Sequence, residues 1–152
     1  MPMLPRWECL PFDALGGSAV YALLRLRAQV FVVEQACAYE DPDGLDTKAL
    51  HLMAWRNDEL VAYARCLPPG AVFRDSAIGR IVVAPGRRGG DLGGDLVRRA
   101  IAVNRERWPR HNVRINAQSA LEDYYAALGF VACGEPFLED DIPHVHMLLD
   151  AG

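Results

Sequence analysis

The chain contains no Cys-x-x-Cys pair. Cys9, Cys37, Cys66 and Cys133 lie far apart, which removes zinc-ribbon and dithiol redox motifs and leaves reduced, mostly buried thiols as the expectation. No apolar run approaches the roughly 20 residues of a membrane span. The opening "MPMLPRWECL" has two prolines and no apolar core, so it does not read as a signal peptide, and the protein reads as cytoplasmic. Basic residues are not in excess: 16 Lys and Arg stand against 20 Asp and Glu, a net charge of −4. Nucleic acid, which wants a basic surface, is not expected as a partner; a cationic substrate such as an amine is tolerated. There is no internal repeat, no low-complexity segment and no Gly-Lys-Ser/Thr end of a P-loop.

What is present is a globular composition, 51% hydrophobic and 24% charged over 152 residues. That length suits one domain, residues 1–152, able to bury roughly 70% of the surface of its unfolded chain. Residues 6–12 read as a short edge strand, kept short by prolines. Val20, Leu23, Leu24, Val30 and Phe31 recur at helical spacing, which predicts a helix over residues 19–33 with Ser18 as its N-cap. "HLMAWRNDELVAYARCL" reads as two strands joined at Asn57 and Asp58. "AIGRIVVAP" is a strand ended by Pro85. Leu92, Leu96, Val97, Ala100 and Ile101 then mark a helix running to about Arg107. "NVRINAQ" is a strand, "SALEDYYAALGF" a short helix stopped at Gly129, and two strands follow near residues 130–133 and 144–149. The order predicts an α+β domain with a mixed sheet. The helix after residue 92 links two strands, which predicts a parallel βαβ crossover.

The strand and helix around residue 90 are joined by "GRRGGDLGGDL", with five glycines in its first nine residues. A simple strand-to-helix turn would explain it. So would an anion site: the first N–H groups of a helix lack partners inside it, and the helix dipole adds positive charge there. Glycines admit close approach of phosphate oxygens, and Arg87 and Arg88 add charge-assisted bonds. The dinucleotide pattern G-x-G-x-x-G does not fit, because Gly89 would need a glycine at Asp91.

"RIVVAPGRRGGDLGGDLV" resembles the coenzyme A loop of the GNAT superfamily of N-acetyltransferases, whose motif is Arg/Gln-x-x-Gly-x-Gly/Ala after a strand. Arg88 and Gly93 match its ends, and Asp91 stands at the usual middle glycine. A carboxylate there suits a pyrophosphate only if it points to solvent. "DYYAALGF" resembles the superfamily's aromatic-Tyr-x-x-x-Gly-Phe helix. "VYALLRLRAQVFVVEQACAYEDPDGLD", "HLMAW", "INAQ" and "EDDIPHVHM" resemble the ElaA-like branch. The resemblance spans about residues 18–148.

The resemblance implies a GNAT fold: a mixed, mostly antiparallel sheet, a parallel crossover at the coenzyme A loop and helices on both faces. It implies transfer of acetyl from acetyl-CoA to a primary amine by direct attack, without a metal. The backbones of Ile81, Val82 and Val83 would hold the pantetheine arm. The N–H groups of Arg88, Gly89, Gly90, Asp91, Leu92 and Gly93 would hold the pyrophosphate. Tyr125 matches the tyrosine that protonates the leaving thiolate, though an amphipathic helix can also bury a tyrosine there; Tyr124 reads as packing. Gln118 sits where many members place an asparagine on the cofactor, or it closes a strand end. Glu34 is the foremost candidate for the base that deprotonates the amine, or else a solvated helix-end carboxylate; His51, His144 and Glu139 are further candidates. The acceptor, a small molecule or a peptide amine, is left open, as is the oligomeric state, a homodimer included. The rival reading is a non-catalytic acyl-CoA-binding sensor or interaction module.

Two patterns suggest metal sites; one fails on spacing and the other lacks a third ligand. "DPDG" would place Tyr39 and Leu50 at the first and twelfth positions of a calcium loop. His144 and His146 share one strand face but have no identifiable third ligand. The arginines of "RRAIAVNRERWPR" read as a solvated helix face.

Overall fold

The structure, a computed structural model, describes residues 4–152. Seven strands form one sheet in the order β1-β2-β3-β4-β5-β7-β6. They are β1 (Arg6–Pro11), β2 (Leu50–Arg56), β3 (Glu59–Leu67), β4 (Ser76–Val83), β5 (Val113–Gln118), β6 (Val131–Glu139) and β7 (Ile142–Leu149). All pairs are antiparallel except β4 with β5. That is the mixed sheet expected from the element order. The β4–β5 crossover carries α2 (Leu92–Arg107).

Helices cover both faces. On one, α1 (Gly17–Arg27) and its continuation bury Leu23, Leu26 and Val30 against Met53, Trp55, Tyr63 and Val82. On the other, α2 buries Leu96, Val97, Ala100 and Ile101 against Leu52, Ala62, Ile78 and Ile115. Tyr125 of α3 (Glu122–Ala126) and Phe130 join this second layer. Coverage on both sides explains why β2 and β3 read as nearly unbroken apolar runs instead of alternating. Among the described residues no helix is long and apolar enough to cross a membrane.

Several boundaries differ from the sequence reading. The first helix begins at Gly17 with Gly16 at its N-cap, and Ser18 lies inside it. From Ala28 to Glu34 it widens, with N–H bonds from Gln35 to Val30 and from Cys37 to Val32, five residues back. The β6 strand runs to Glu139, well past residue 133, and turns into β7 through Asp140 and Asp141, both at positive φ. Of the four cysteines, all unpaired, only Cys66 is buried outright.

The β4 strand has two irregularities. Tyr63 faces Val82 and Arg65 faces Gly79 across the β3–β4 ladder, so Arg80 and Ile81 together oppose Ala64. This is a bulge, with Arg80 at φ 49°. On its other edge β4 pairs with β5 only at Ser76 and Ala77. Beyond Ala77 the two strands part.

Candidate active site

The parting strands open into a cleft of about 490 Å³. Its walls are the 77–81 stretch of β4 and the 114–118 stretch of β5. The far side is closed by Phe31, Gln35 and Tyr39 after α1, by Tyr125, and by Glu139 and His144 of the β6–β7 hairpin. Strand amides alternate between edges. The Ala84 N–H points to β3, bonding the Val61 carbonyl at 2.9 Å. Val83 and Ile81 therefore turn their backbone toward the open edge, and the Val83 carbonyl there accepts a bond from Arg88 Nε at 3.2 Å. Val82 turns its backbone toward β3 and its side chain into the α1 layer. The three residues expected to act alike thus split two and one.

At the top of the cleft, residues 84–91 make the turn into α2. Gly89 sits at φ 105°, and a Cβ there would point into open space. Arg88, Gly89, Gly90 and Asp91 are exposed, and Leu92 and Gly93 begin the helix, whose first N–H groups have no partner within it. The Asp91 side chain is 77% exposed and is paired to Arg98 on the next turns of α2, so its charge is neutralised and faces solvent. Gly94 makes this possible, because a Cβ there would strike the Asp91 carboxylate.

An open sheet edge, an exposed glycine turn at a helix start and a buried tyrosine on one cleft suit a thioester carried on a long phosphorylated arm. Comparison with known proteins agrees. A family model described as an acetyltransferase (GNAT) domain matches residues 23–151. The chain belongs to the GNAT acetyltransferase family. It is similar to the protein ElaA of Escherichia coli K12, 41% identical over 143 residues, with 93% of this chain and 94% of that protein covered. The crystal structure of Escherichia coli ElaA superposes with a TM-score of 0.91 at 38% identity, covering 97% of this chain and 100% of that one. An acyl-CoA N-acyltransferase from Pseudomonas aeruginosa superposes with a TM-score of 0.93 at 44% identity, covering 95% and 99%. GNAT membership supports acyl transfer from coenzyme A.

Within this GNAT cleft Tyr125 is 7% exposed and packs edge-on against Phe130. Burial, with a smaller push from Tyr124, raises its hydroxyl to about 12. Gln118 lines the cleft at the end of β5, opposite His144 of β7. Glu34 is not among the lining residues: it is exposed, and its carboxylate is bound by Arg88 at 2.6 Å. The fold brings Tyr125, Gln118, Glu139 and His144 together and leaves Glu34 beside the glycine turn.

His51 is fully buried and doubly engaged. Its Nε2–H donates to the Asp46 carbonyl at 2.8 Å, and its Nδ1 accepts from the Tyr63 hydroxyl at 2.6 Å. Burial lowers its pKa, and it has no access to the cleft. His144 and His146 have separate partners, the Ile142 carbonyl and Asn116. Among the described residues no three His, Cys, Asp or Glu side chains gather where they could hold a metal.

Residue-by-residue reading missed an ionic cluster beside the cleft. Arg27, fully buried, binds Asp41 at 2.8 Å and Asp46 at 2.7 Å. Arg65 grips Asp43 with both terminal nitrogens at 2.8 Å and reaches Asp46 at 3.2 Å. Arg80, the bulge residue, binds Asp41 at 2.9 Å. Three arginines and three aspartates alternate, so buried charge is balanced. The "DPDG" carboxylates serve these arginines. Burial alone would raise the Asp43 carboxyl, but Arg65 and the Leu45 N–H outweigh it and hold it at about 2. The cluster pins the 39–46 loop to β4 at its bulge. The only signal in the sequence was five charges spread over residues 27–65, with the sixth at 80.

Proposed function

We propose that the protein is an acetyl-CoA-dependent N-acetyltransferase acting on a primary amine, small or peptide-borne, in the cytoplasm. The observation that carries this is the loss of β4–β5 pairing after Ala77, which leaves an unpaired strand edge leading from the glycine turn to Tyr125. Four unpaired cysteines agree with a reducing compartment.

In this reading the backbones of Ile81 and Val83 hold the pantetheine arm as an added strand would be held. The N–H groups from Arg88 to Gly93 receive the pyrophosphate, helped by the α2 dipole. Arg88 is released from Glu34 to do so, and Glu34 serves as its resting partner. Gln118 contacts the arm from β5. The bound thioester supplies an activated acyl group; the chain supplies position and protons. The Val83 N–H, on the open edge, is a donor for the charge that develops on the acyl oxygen. Tyr125, protonated at neutral pH as a tyrosine is and pushed up further to about 12 by burial, gives its proton to the leaving sulfur.

The test is calorimetric or thermal-shift binding of acetyl-CoA, with longer acyl-CoAs and ATP as comparisons, followed by a thiol-release assay over a panel of amines. Acetyl-CoA at a hundredfold excess over its Kd stabilises a one-site protein by about 2.7 kcal/mol. Absence of any shift at millimolar acetyl-CoA overturns the reading. A shift with no thiol release from any amine would instead make the protein an acyl-CoA-binding module.

A further inference from the structure

We propose that His144 is the proton acceptor that makes the attacking amine neutral, with Glu139 as the positioning residue that receives the charged imidazole. The proposal rests on the N-acyltransferase reading above. An alkyl ammonium has no lone pair to attack with, so its first proton has to leave before attack, and a base in the cleft speeds that loss.

Geometry selects His144. Its ring is 8% exposed yet lines the cleft with Tyr125 and Gln118. Its Nδ1 lies 2.7 Å from the Ile142 carbonyl oxygen. A carbonyl only accepts, so Nδ1 carries the hydrogen and Nε2 of the neutral ring is left with a bare lone pair. Glu139 Oε2 stands 3.5 Å from that Nε2. Two acceptors make no hydrogen bond while the ring is neutral, and the pair becomes an ion pair once Nε2 gains a proton. Phe137 lies near-parallel beside the ring, with centroids 6.0 Å apart and planes at 28°. Asp140 and Asp141 at positive φ form the tight turn that folds Glu139 back beside His144.

The other charged or titratable groups near the ring are already placed. On β7 itself His146 is bonded to Asn116, and on β5 Arg114 is paired with Asp75. Across the cleft, Asp43 is held by Arg65. Tyr39 and Glu40 line the opposite wall, Asp140 the hairpin tip, and Tyr125 is the proton donor. His144 is the one buried base in this set with a free lone pair. The proton balance then closes. The ammonium gives one proton to Nε2, which passes by way of half-exposed Glu139 to water. The C–N bond forms as the C–S bond breaks. The nitrogen's second proton replaces the one that Tyr125 gives to sulfur, so one proton is released per turnover.

The test compares wild type, His144→Gln and Glu139→Gln with acetyl-CoA and three primary amines: phenethylamine, putrescine and Nα-acetyl-lysine amide. Thiol release is followed from pH 5.5 to 10. With wild type, kcat/KM rises with pH and levels off before the amine itself loses its proton. With His144→Gln it is lower by about 10²-fold or more at pH 7 and keeps rising toward pH 10, as the amine itself loses its proton. Glu139→Gln lowers kcat more than it alters KM, because the protonated ring has lost its ion-pair partner, while acetyl-CoA affinity stays the same in both variants. A second measurement needs no acceptor. Histidine ¹⁵N shifts near pH 8 should show His144 protonated at Nδ1 and bare at Nε2. A ring protonated at Nε2, or a His144→Gln profile that keeps the wild-type limb, overturns the proposal. Failure of wild type to bind acetyl-CoA overturns the N-acyltransferase reading itself.

Discussion

Tyr125 carries its hydroxyl proton across the neutral range, and the burial of its ring lets that proton be tested by a single substitution. Tyr125→Phe removes the hydroxyl and leaves the ring against Phe130 and the α2 layer. Folding and acetyl-CoA affinity should survive, while the chemical step slows by about 10²–10⁴-fold, as for loss of a general acid. Single-turnover acetyl transfer measures this directly; an unchanged step would return Tyr125 to a packing role. Tyr125 stood out in the sequence because "DYYAALGF" resembles the superfamily's aromatic-Tyr-x-x-x-Gly-Phe helix, in which Gly129, at φ 104°, stops the helix. The setting of Glu34 was not visible, since its partner Arg88 is 54 positions away. The tautomer of His144 was not legible either, because it depends on one carbonyl two residues back in a tight hairpin.

At the level of elements, the stretches with strong local signals were readable and those held by distant partners were not. Residues 92–107 showed helical spacing and form α2 as read. The β6 strand was read short because its outer half, "GEPFLE", is largely exposed, includes a proline and so shows no apolar alternation. Two connecting segments carry predictions. Gly89 holds a backbone conformation that costs an L-residue about 1–2 kcal/mol, although a Cβ there would meet nothing within 4 Å. Gly89→Ala should therefore relieve strain by shifting the exposed turn. Stability should fall by no more than about 1 kcal/mol, while the Kd for acetyl-CoA rises tenfold or more as the N–H groups are re-aimed. Titration calorimetry beside a melting curve separates the two, and normal binding would reduce the segment to a turn.

The second segment is the loop from Tyr39 to Asp46. Asp43→Asn keeps the shape and removes the charge that Arg65 grips. With one partner gone from a largely buried pair, stability at pH 7 should fall by about 2 kcal/mol. The pH dependence fixes the cause. Wild-type Asp43 is held at about 2 in the fold, below the ordinary carboxylate value of about 3.9. Its contribution is complete above that ordinary value and is lost as pH falls through about 2. The gap between wild type and Asp43→Asn in urea unfolding should hold from pH 7 to 5 and narrow from pH 4 to 2. A gap of constant size would mean that packing, not charge, binds the loop.

Over the whole molecule, one sheet has to stay continuous and also come apart. The parallel crossover was legible from the strand-helix-strand order. That β7 lies between β5 and β6, and that β4 and β5 separate after two residue pairs, depends on long-range pairing that no local pattern records. The point of separation is held by Asn104, fully buried on α2. Its Nδ2 donates to the Ser76 hydroxyl at 3.1 Å and to the Ala77 carbonyl at 3.0 Å. Ser76 in turn bonds the Asn112 carbonyl just before β5, from both its N–H and its hydroxyl, at 3.0 Å each. The helix of the crossover thus clamps the vertex where its own two strands diverge. Asn104→Leu keeps most of the volume and removes both donated bonds, leaving the Ala77 carbonyl buried without its side-chain partner. The loss should be about 1–3 kcal/mol in chemical denaturation. The vertex also sets where the open edge begins, so the variant's folded fraction should bind acetyl-CoA several-fold more weakly, although Asn104 does not line the cleft. Calorimetry well below the melting temperature measures this apart from unfolding. Lost stability with unchanged affinity would show that the clamp supports the sheet without setting the width of the gap; a change in both would tie the cleft's shape to a single buried amide.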